Sequence, residues 1–222
     1  MSEQPVPEIL PLFPLPNLVF FTGTLLPLHV FEKRYVQLVH DVRAGDSWVA
    51  VPLLKPGYHR DYAGAPAYYP VAGAGRVIRM QEQPDHTLSV EIQGLVRVSL
   101  AEIASDRLYR YAAATVLEER GDWLVHPEAD RVLTDLVEEA ASVDLLTAKE
   151  AAGGLPRTRG GRAAMINGLA SKVLVDTGER QALLEAPGYR DRVALIRGHL
   201  RVMIETAKAL RRFPRPEHPE YN

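Results

Sequence analysis

The sequence predicts an α+β protein: a curled, mainly antiparallel sheet carrying one helix, followed by a C-terminal α-helical bundle. Three observations carry that prediction. Strand-favouring residues at a spacing of two dominate the first 120 residues, and apolar residues at spacings of three and four dominate the rest. The charge is also uneven: Leu117–Glu150 holds ten acidic and three basic residues, a balance of −7, and Arg190–Arg215 holds eight basic and two acidic, a balance of +6. The expected division is 8–120 for the β-rich domain, 121–213 for the bundle and 214–222 for a disordered, proline-rich tail.

Each element follows from its local pattern. Ile9–Val19 contains Pro11, Pro14 and Pro16, which cannot donate to a ladder and so confine this stretch to edges and bends, although Leu12, Phe13, Leu15, Val19 and Phe20 demand burial. Phe31–Val42 changes to helical spacing with Tyr35, Leu38, Val39 and Val42 on one face, ending at Gly45. Asp46–Leu54 returns to strand composition. Val71–Gln83 is a long strand in which Gly73 and Gly75 mark a bulge or a close backbone approach. After the Pro84-Asp85-His86 turn, Leu88, Val90, Ile92 and then Val96, Val98, Leu100 alternate with Ser89, Glu91, Arg97 and Ser99, as in a hairpin or meander.

In the second half, Leu133, Leu136, Ala140 and Val143 form a helix stripe within Glu128–Leu146, and Ile166, Leu169 and Val173 form another within Arg162–Val175. Asp176 with Glu179 resembles a capping box that opens a short helix to Glu185, broken by Pro187-Gly188. The last helix, Arg190–Arg212, sets Val193, Ile196, Leu200, Met203, Ala207 and Leu210 on one side and arginines on the other. Packing on the acidic helix would pair the two charge surpluses. Surface ion pairs contribute only about 0–1 kcal/mol each, so the apolar stripes supply stability and charge selects the partner. The pairs Gly153-Gly154 and Gly160-Gly161 read as a flexible interhelix loop.

Composition narrows the chemistry. With 222 residues and 46% apolar content the chain can bury a core, and with no cysteine it has no disulfide, thiolate zinc site or cysteine nucleophile, which fits a cytoplasmic protein. The opening MSEQPVPEIL lacks Lys and Arg, and no apolar run approaches the roughly 18–20 residues of a membrane span, so neither export nor a membrane is expected. A net charge of −2 argues against nucleic acid as a partner. No phosphate-cradling G-x-x-x-x-G-K-[ST] loop, H-E-x-x-H pair or G-x-S-x-G elbow is present, so no catalytic residue, metal ligand or cofactor is expected. His59-Arg60-Asp61 is the nearest approach to a cluster, and Glu118-Glu119 and Glu138-Glu139 read as solvated faces.

The stretch LPLFPLPNLVFFTGTLLPLHVFEKRY, Leu10–Tyr35, joins a proline-broken apolar strand, a strand at Val19–Phe21, a glycine turn, and a Leu-Pro-Leu step before a helix near Glu32. It resembles the opening of the Lon protease N-terminal, substrate-binding domain family. VAGAGRVIRM (Val71–Met80), IQGLVRV (Ile92–Val98) and RQALLEAPGYRDRVALIRGHL (Arg180–Leu200) extend the resemblance over most of the chain. Thr22 stands where proline is common, and Gly75 replaces a more usual alanine. The resemblance implies a PUA-like β-barrel followed by a helical bundle, and a non-catalytic module that binds unfolded or tagged polypeptides as adaptor or holdase. A separate protease is an open further partner. The ATPase and serine-lysine peptidase activities of the full protease do not carry over, and the PUA-like architecture keeps RNA binding as an alternative, with Arg190–Arg215 as its basic face.

By the same resemblance, polypeptide contact falls on Glu32, Lys33 and Arg34. Their other reading is a solvated first helical turn in which Glu32 complements the macrodipole. The residues themselves supply a second candidate: Tyr58, Tyr62, Tyr68 and Tyr69 put four of the nine tyrosines into Gly57–Tyr69. Aromatic rings give contact area at low entropic cost, so Tyr58 and Tyr62 are the expected contacts, while Tyr68 and Tyr69 are expected to cap the barrel core.

Overall fold

Proline decides how the chain enters the sheet. In the computed structural model, which describes residues 5–119 and 123–212, β1 (Ile9–Pro11) pairs antiparallel with β6 (Tyr111–Val116) and the chain then leaves that ladder. Leu12 and Leu15 instead form parallel bridges to Ala50 and Leu53, beside β3 (Trp48–Val51). Of the three residues between the prolines, Leu12 still donates its N–H to the carbonyl of Arg110 (2.8 Å), while Phe13 and Leu15 donate to those of Ala50 (2.8 Å) and Pro52 (3.0 Å). With β4 (Val71–Glu82) and β5 (Leu88–Ile103), the antiparallel order is β1-β6-β5-β4-β3. The bridges from Leu12 and Leu15 to the β3 side therefore join the two ends of that order and curl the sheet back on itself. β2 (Leu25–Val30) pairs with the first half of β5 as a branch off this path.

Glycine makes the curling possible. A Cβ on Gly73 would lie 2.0 Å from the Phe20 carbonyl oxygen, and one on Gly94 would lie 2.2 Å from that of Phe21. The segment 19–21, expected as a strand, is instead buried, unpaired chain crossing these glycines. β5 runs through Gly94 as one strand of 16 residues, and β4 bulges at Ala74/Gly75 as Gly75 predicts. α1 (Lys33–Ala44) buries Tyr35, Leu38, Val39 and Val42, the face set by its spacing.

The bundle comprises α2 (Pro127–Ala141), α3 (Ala148–Ala152), α4 (Arg159–Val173), α5 (Thr177–Glu185) and α6 (Tyr189–Arg212). The Asp176 side chain accepts from the Glu179 N–H at 3.0 Å, the expected cap of α5. Gly160 and Gly161 lie in the first turn of α4, not in a loop; Thr158 Oγ1 accepts the Gly161 N–H at 3.1 Å, and this cap offsets the weak helix propensity of glycine. The opposed charges meet as expected, with Arg190 on Glu128 and Arg197 on Glu139. The apolar stripe of α6 is buried through Leu200, but Leu210 is 68% exposed, because α6 outruns the described helices that cover it. The expected tail and residues 120–122 at the expected boundary lie outside the described residues.

Sheet and bundle share a core in which Val19, Phe21 and Leu53 pack with Leu133, Ile166 and Leu200. Polar contacts fix the docking. Fully buried Asn167 donates to the Thr22 carbonyl and to Thr22 Oγ1, both at 2.9 Å, and Gly23, at φ +76°, lies where a Cβ would come 2.7 Å from that of Ala164. Arg97 departs from the alternation that pointed it outward. It is buried, donates to the carbonyls of Leu184 and Ala186, and meets Arg192 at the Glu119 carboxylate.

Candidate functional site

The first turn of α1 and the Tyr58–Tyr62 segment come together beside the curled sheet. Tyr62 donates its hydroxyl to Glu32 Oε1 at 2.8 Å, Arg34 Nε donates to Glu32 Oε2 at 3.0 Å, and a further Arg34 nitrogen donates to the Tyr62 carbonyl at 3.1 Å. The Arg34 guanidinium lies over the rings of Tyr35 and Tyr62, 4.6 and 5.1 Å from their centroids. Burial, and then the hydrogen bond to Glu32, pushes the Tyr62 phenol upward. Tyr58, in a 3-10 turn (Tyr58–Asp61) entered through Gly57 at φ +88°, sets its ring edge-on to Tyr62 at 6.1 Å. Four of the five expected contact residues thus form one cluster in which Glu32, Arg34 and Tyr62 satisfy one another, and Lys33 stands exposed beside it.

Tyr68 packs against a core of the sheet, whereas Tyr69 packs against the core that sheet and bundle share. Tyr68 lies under the Arg110 guanidinium at 4.8 Å and Tyr69 under Lys55 at 5.6 Å.

Beside the cluster lies an apolar groove of about 320 Å³. Leu15, Pro16, Leu18, Leu28, Val30 and Phe31 line it together with Phe13, Tyr35 and Tyr62, and His29 and Glu32 supply its polar lining. Phe13 stacks on Tyr35 with centroids 4.2 Å apart, and burial pushes the Tyr35 phenol up to about 12. Phe31 is 68% exposed. A large ring held half out of the fold beside an apolar trough is the chemistry of contact with apolar side chains. The sequence reading placed the Pro11–Phe13 run in the core and did not single out Phe31. Its signal is phase: Leu26, Leu28 and Val30 alternate inward, so Phe31 falls out of step with the buried face.

Among the described residues, no group of three or more His, Cys, Asp or Glu side chains is placed to hold a metal ion. No helix among them is long and apolar enough to cross a membrane.

Curled sheet, docked bundle and open apolar groove define an α+β module with a recognition-type surface. Over residues 9–202 the chain matches the family model described as the ATP-dependent protease La (LON) substrate-binding domain, and it belongs to that family. It is 25% identical over 207 residues to Lon protease of Anaeromyxobacter dehalogenans, covering 88% of this chain and 23% of that protein. It is 29% identical over 143 residues to Lon protease of Dictyoglomus thermophilum, covering 64% and 18%. The chain thus spans less than a quarter of the length of these relatives. Solved structures share its fold, among them two Lon N-terminal domains. The Lon N-terminal domain protein of Xanthomonas campestris has a TM-score of 0.60 at 24% identity, and the N-terminal domain of Mycobacterium avium complex Lon protease has 0.63 at 11%. Each alignment covers 86% of this chain and 97% of that structure.

Proposed function

We propose that the chain binds unfolded or tagged polypeptides in the apolar groove and releases them uncleaved, as an adaptor or holdase in the cytoplasm. A separate protease is the natural recipient of such clients. Glu32, Lys33, Arg34, Tyr58 and Tyr62 form the rim: the Glu32–Arg34–Tyr62 hydrogen bonds hold the aromatic wall in place, and Lys33 adds an exposed charge to it. The observation that carries this reading is Phe31, 68% exposed on the lip of a groove walled by Leu15, Leu18 and Leu28. The binding energy is expected to come from apolar burial, which salt does not weaken.

The test is fluorescence anisotropy of a labelled, carboxymethylated unfolded polypeptide and of a labelled single-stranded RNA, each at low and high salt. Salt-tolerant polypeptide binding is expected, weakened about tenfold by Phe31→Ser, as befits an aromatic anchor, and less by Tyr58→Ala or Lys33→Ala. RNA binding that falls steeply with salt, without a polypeptide signal, would overturn the proposal. Three arginines of the basic helix face argue against that outcome, since Arg190 pairs with Glu128, Arg192 with Glu119 and Arg197 with Glu139.

A further inference from the structure

One edge of the sheet is open beside the groove. The Gly94 N–H donates to the Thr24 carbonyl at 2.9 Å, and the register continues as Leu26↔Ile92, Leu28↔Val90 and Val30↔Leu88. Hydrogen bonding alternates along an antiparallel strand, so the even-numbered residues of β2 bond to β5 and the backbone groups of Leu25, Pro27 and His29 point away from it. Nothing among the described residues hydrogen-bonds to that outward row. Proline has no N–H, so the row offers donors at Leu25 and His29 and acceptors at Leu25, Pro27 and His29.

Exposed sheet edges are ordinarily blunted by charge. The outer edge of β4 beyond Val77 follows that rule, with Arg79 and Glu82. β2 does not: from Thr24 to Phe31 there is no Asp, Glu, Lys or Arg, and Leu25 and Phe31 stand 62% and 68% exposed at its two ends. Leu28 and Val30 form a wall of the groove, so a strand laid along this edge would turn every second side chain toward it.

We infer that the free edge of β2 captures an extended, uncharged, apolar segment of a client polypeptide by adding it to the sheet as a further strand. The inference rests on the polypeptide-binding reading above and specifies how the client is held. The occupant follows from the chemistry of the row. Only an extended peptide backbone presents donors and acceptors at the repeat of about 6.8 Å that a strand edge requires. Six residues of β2 accommodate about 20 Å of such a chain. Apolar uncharged segments of that length are what folded proteins bury and unfolded ones expose. Pro27 removes one bond at the middle of the added ladder, which opposes continuous edge-to-edge pairing of copies and still leaves bonds at both ends.

The test compares two fluorescein-labelled twelve-residue peptides that alternate valine and serine, one unmodified and one with its four central backbone nitrogens methylated. Methylation removes the backbone donors of those residues and leaves every side chain in place. Amide hydrogen exchange of the protein is followed with each peptide. The unmodified peptide is expected to bind and to slow exchange at Leu25 and His29, and the methylated one to bind about tenfold more weakly, the cost of about two lost hydrogen bonds. Equal binding of the two peptides, or binding without protection at Leu25 and His29, overturns strand addition and leaves the polypeptide-binding reading intact. Binding of the carboxymethylated polypeptide but of neither short peptide does the same. Absence of binding to any polypeptide overturns both. Protection of Leu25 and His29 before peptide is added, in a protein that sediments as a dimer, assigns the edge to a second copy and overturns the client.

Discussion

Glu119→Ala removes the carboxylate on which two buried arginines converge. Arg97 and Arg192 have side chains 3% and 1% exposed, and they reach the same carboxylate oxygen at 3.0 and 2.8 Å. Burial, and then the neighbouring Arg192 charge, lowers the proton affinity of Arg97, so the site depends on its counter-charge. Removing one partner from a buried ion pair costs about 3–5 kcal/mol. Arg97 keeps the carbonyls of Leu184 and Ala186 at 2.6 and 3.0 Å, and Arg192 keeps the face of Tyr189 at 4.5 Å, which places the cost near the lower end, about 3 kcal/mol. For a protein of this size that corresponds to a fall in Tm of about 6–12 °C. Glu119→Gln keeps an acceptor without the charge and is expected to cost about half as much. Differential scanning calorimetry is the assay, and because the network ties β5 to α6, the Ala variant is also expected to broaden or split the transition. A Tm within about 2 °C of the parent would refute the reasoning, as would a Glu119→Ala/Arg192→Met cycle with coupling below about 0.5 kcal/mol.

Further predictions follow from single contacts. Gly73→Ala drives a Cβ to within 2.0 Å of the Phe20 carbonyl oxygen and is expected to cost about 3 kcal/mol or more, read as a lowered urea midpoint. Asn167→Ala leaves the half-buried Thr22 carbonyl without its donor, an expected loss of about 1 kcal/mol by the same assay. Tyr35 keeps its proton to about 12 in the folded protein and to about 10 in the unfolded chain. The folded state therefore binds the extra proton: stability from this group is intact below pH 10, declines as pH rises toward 12, and the urea midpoint of Tyr35→Phe lacks that part of the decline.

What the sequence discloses and what it withholds divide along range of contact. The buried face of α1, the Asp176 cap and the need for glycine at Gly73 and Gly75 are legible because each is set within a turn or by the backbone itself. The pairing of α2 with α6 is legible from charge because the surpluses are segregated into separate segments. Arg97 is not, since alternation points it outward and its carbonyl partners lie 87 and 89 residues away. The groove is equally hidden, because Leu15 and Leu18 meet Leu28 and Phe31 only after β1 leaves its ladder to follow β3. The Glu32–Arg34–Tyr62 cluster was visible as two separate candidates, and folding joins them across about thirty residues of chain.

The central claim is that polypeptides bind beside Phe31. Site-specific photo-crosslinking tests it directly, with benzoylphenylalanine placed at Phe31 in one variant and at Val175, 86% exposed on the bundle, in another. Irradiation with a carboxymethylated unfolded polypeptide is predicted to give a crosslinked band from position 31, competed away by unlabelled polypeptide, and none from position 175. Equal yields from both positions, or a yield from 175 alone, would contradict it.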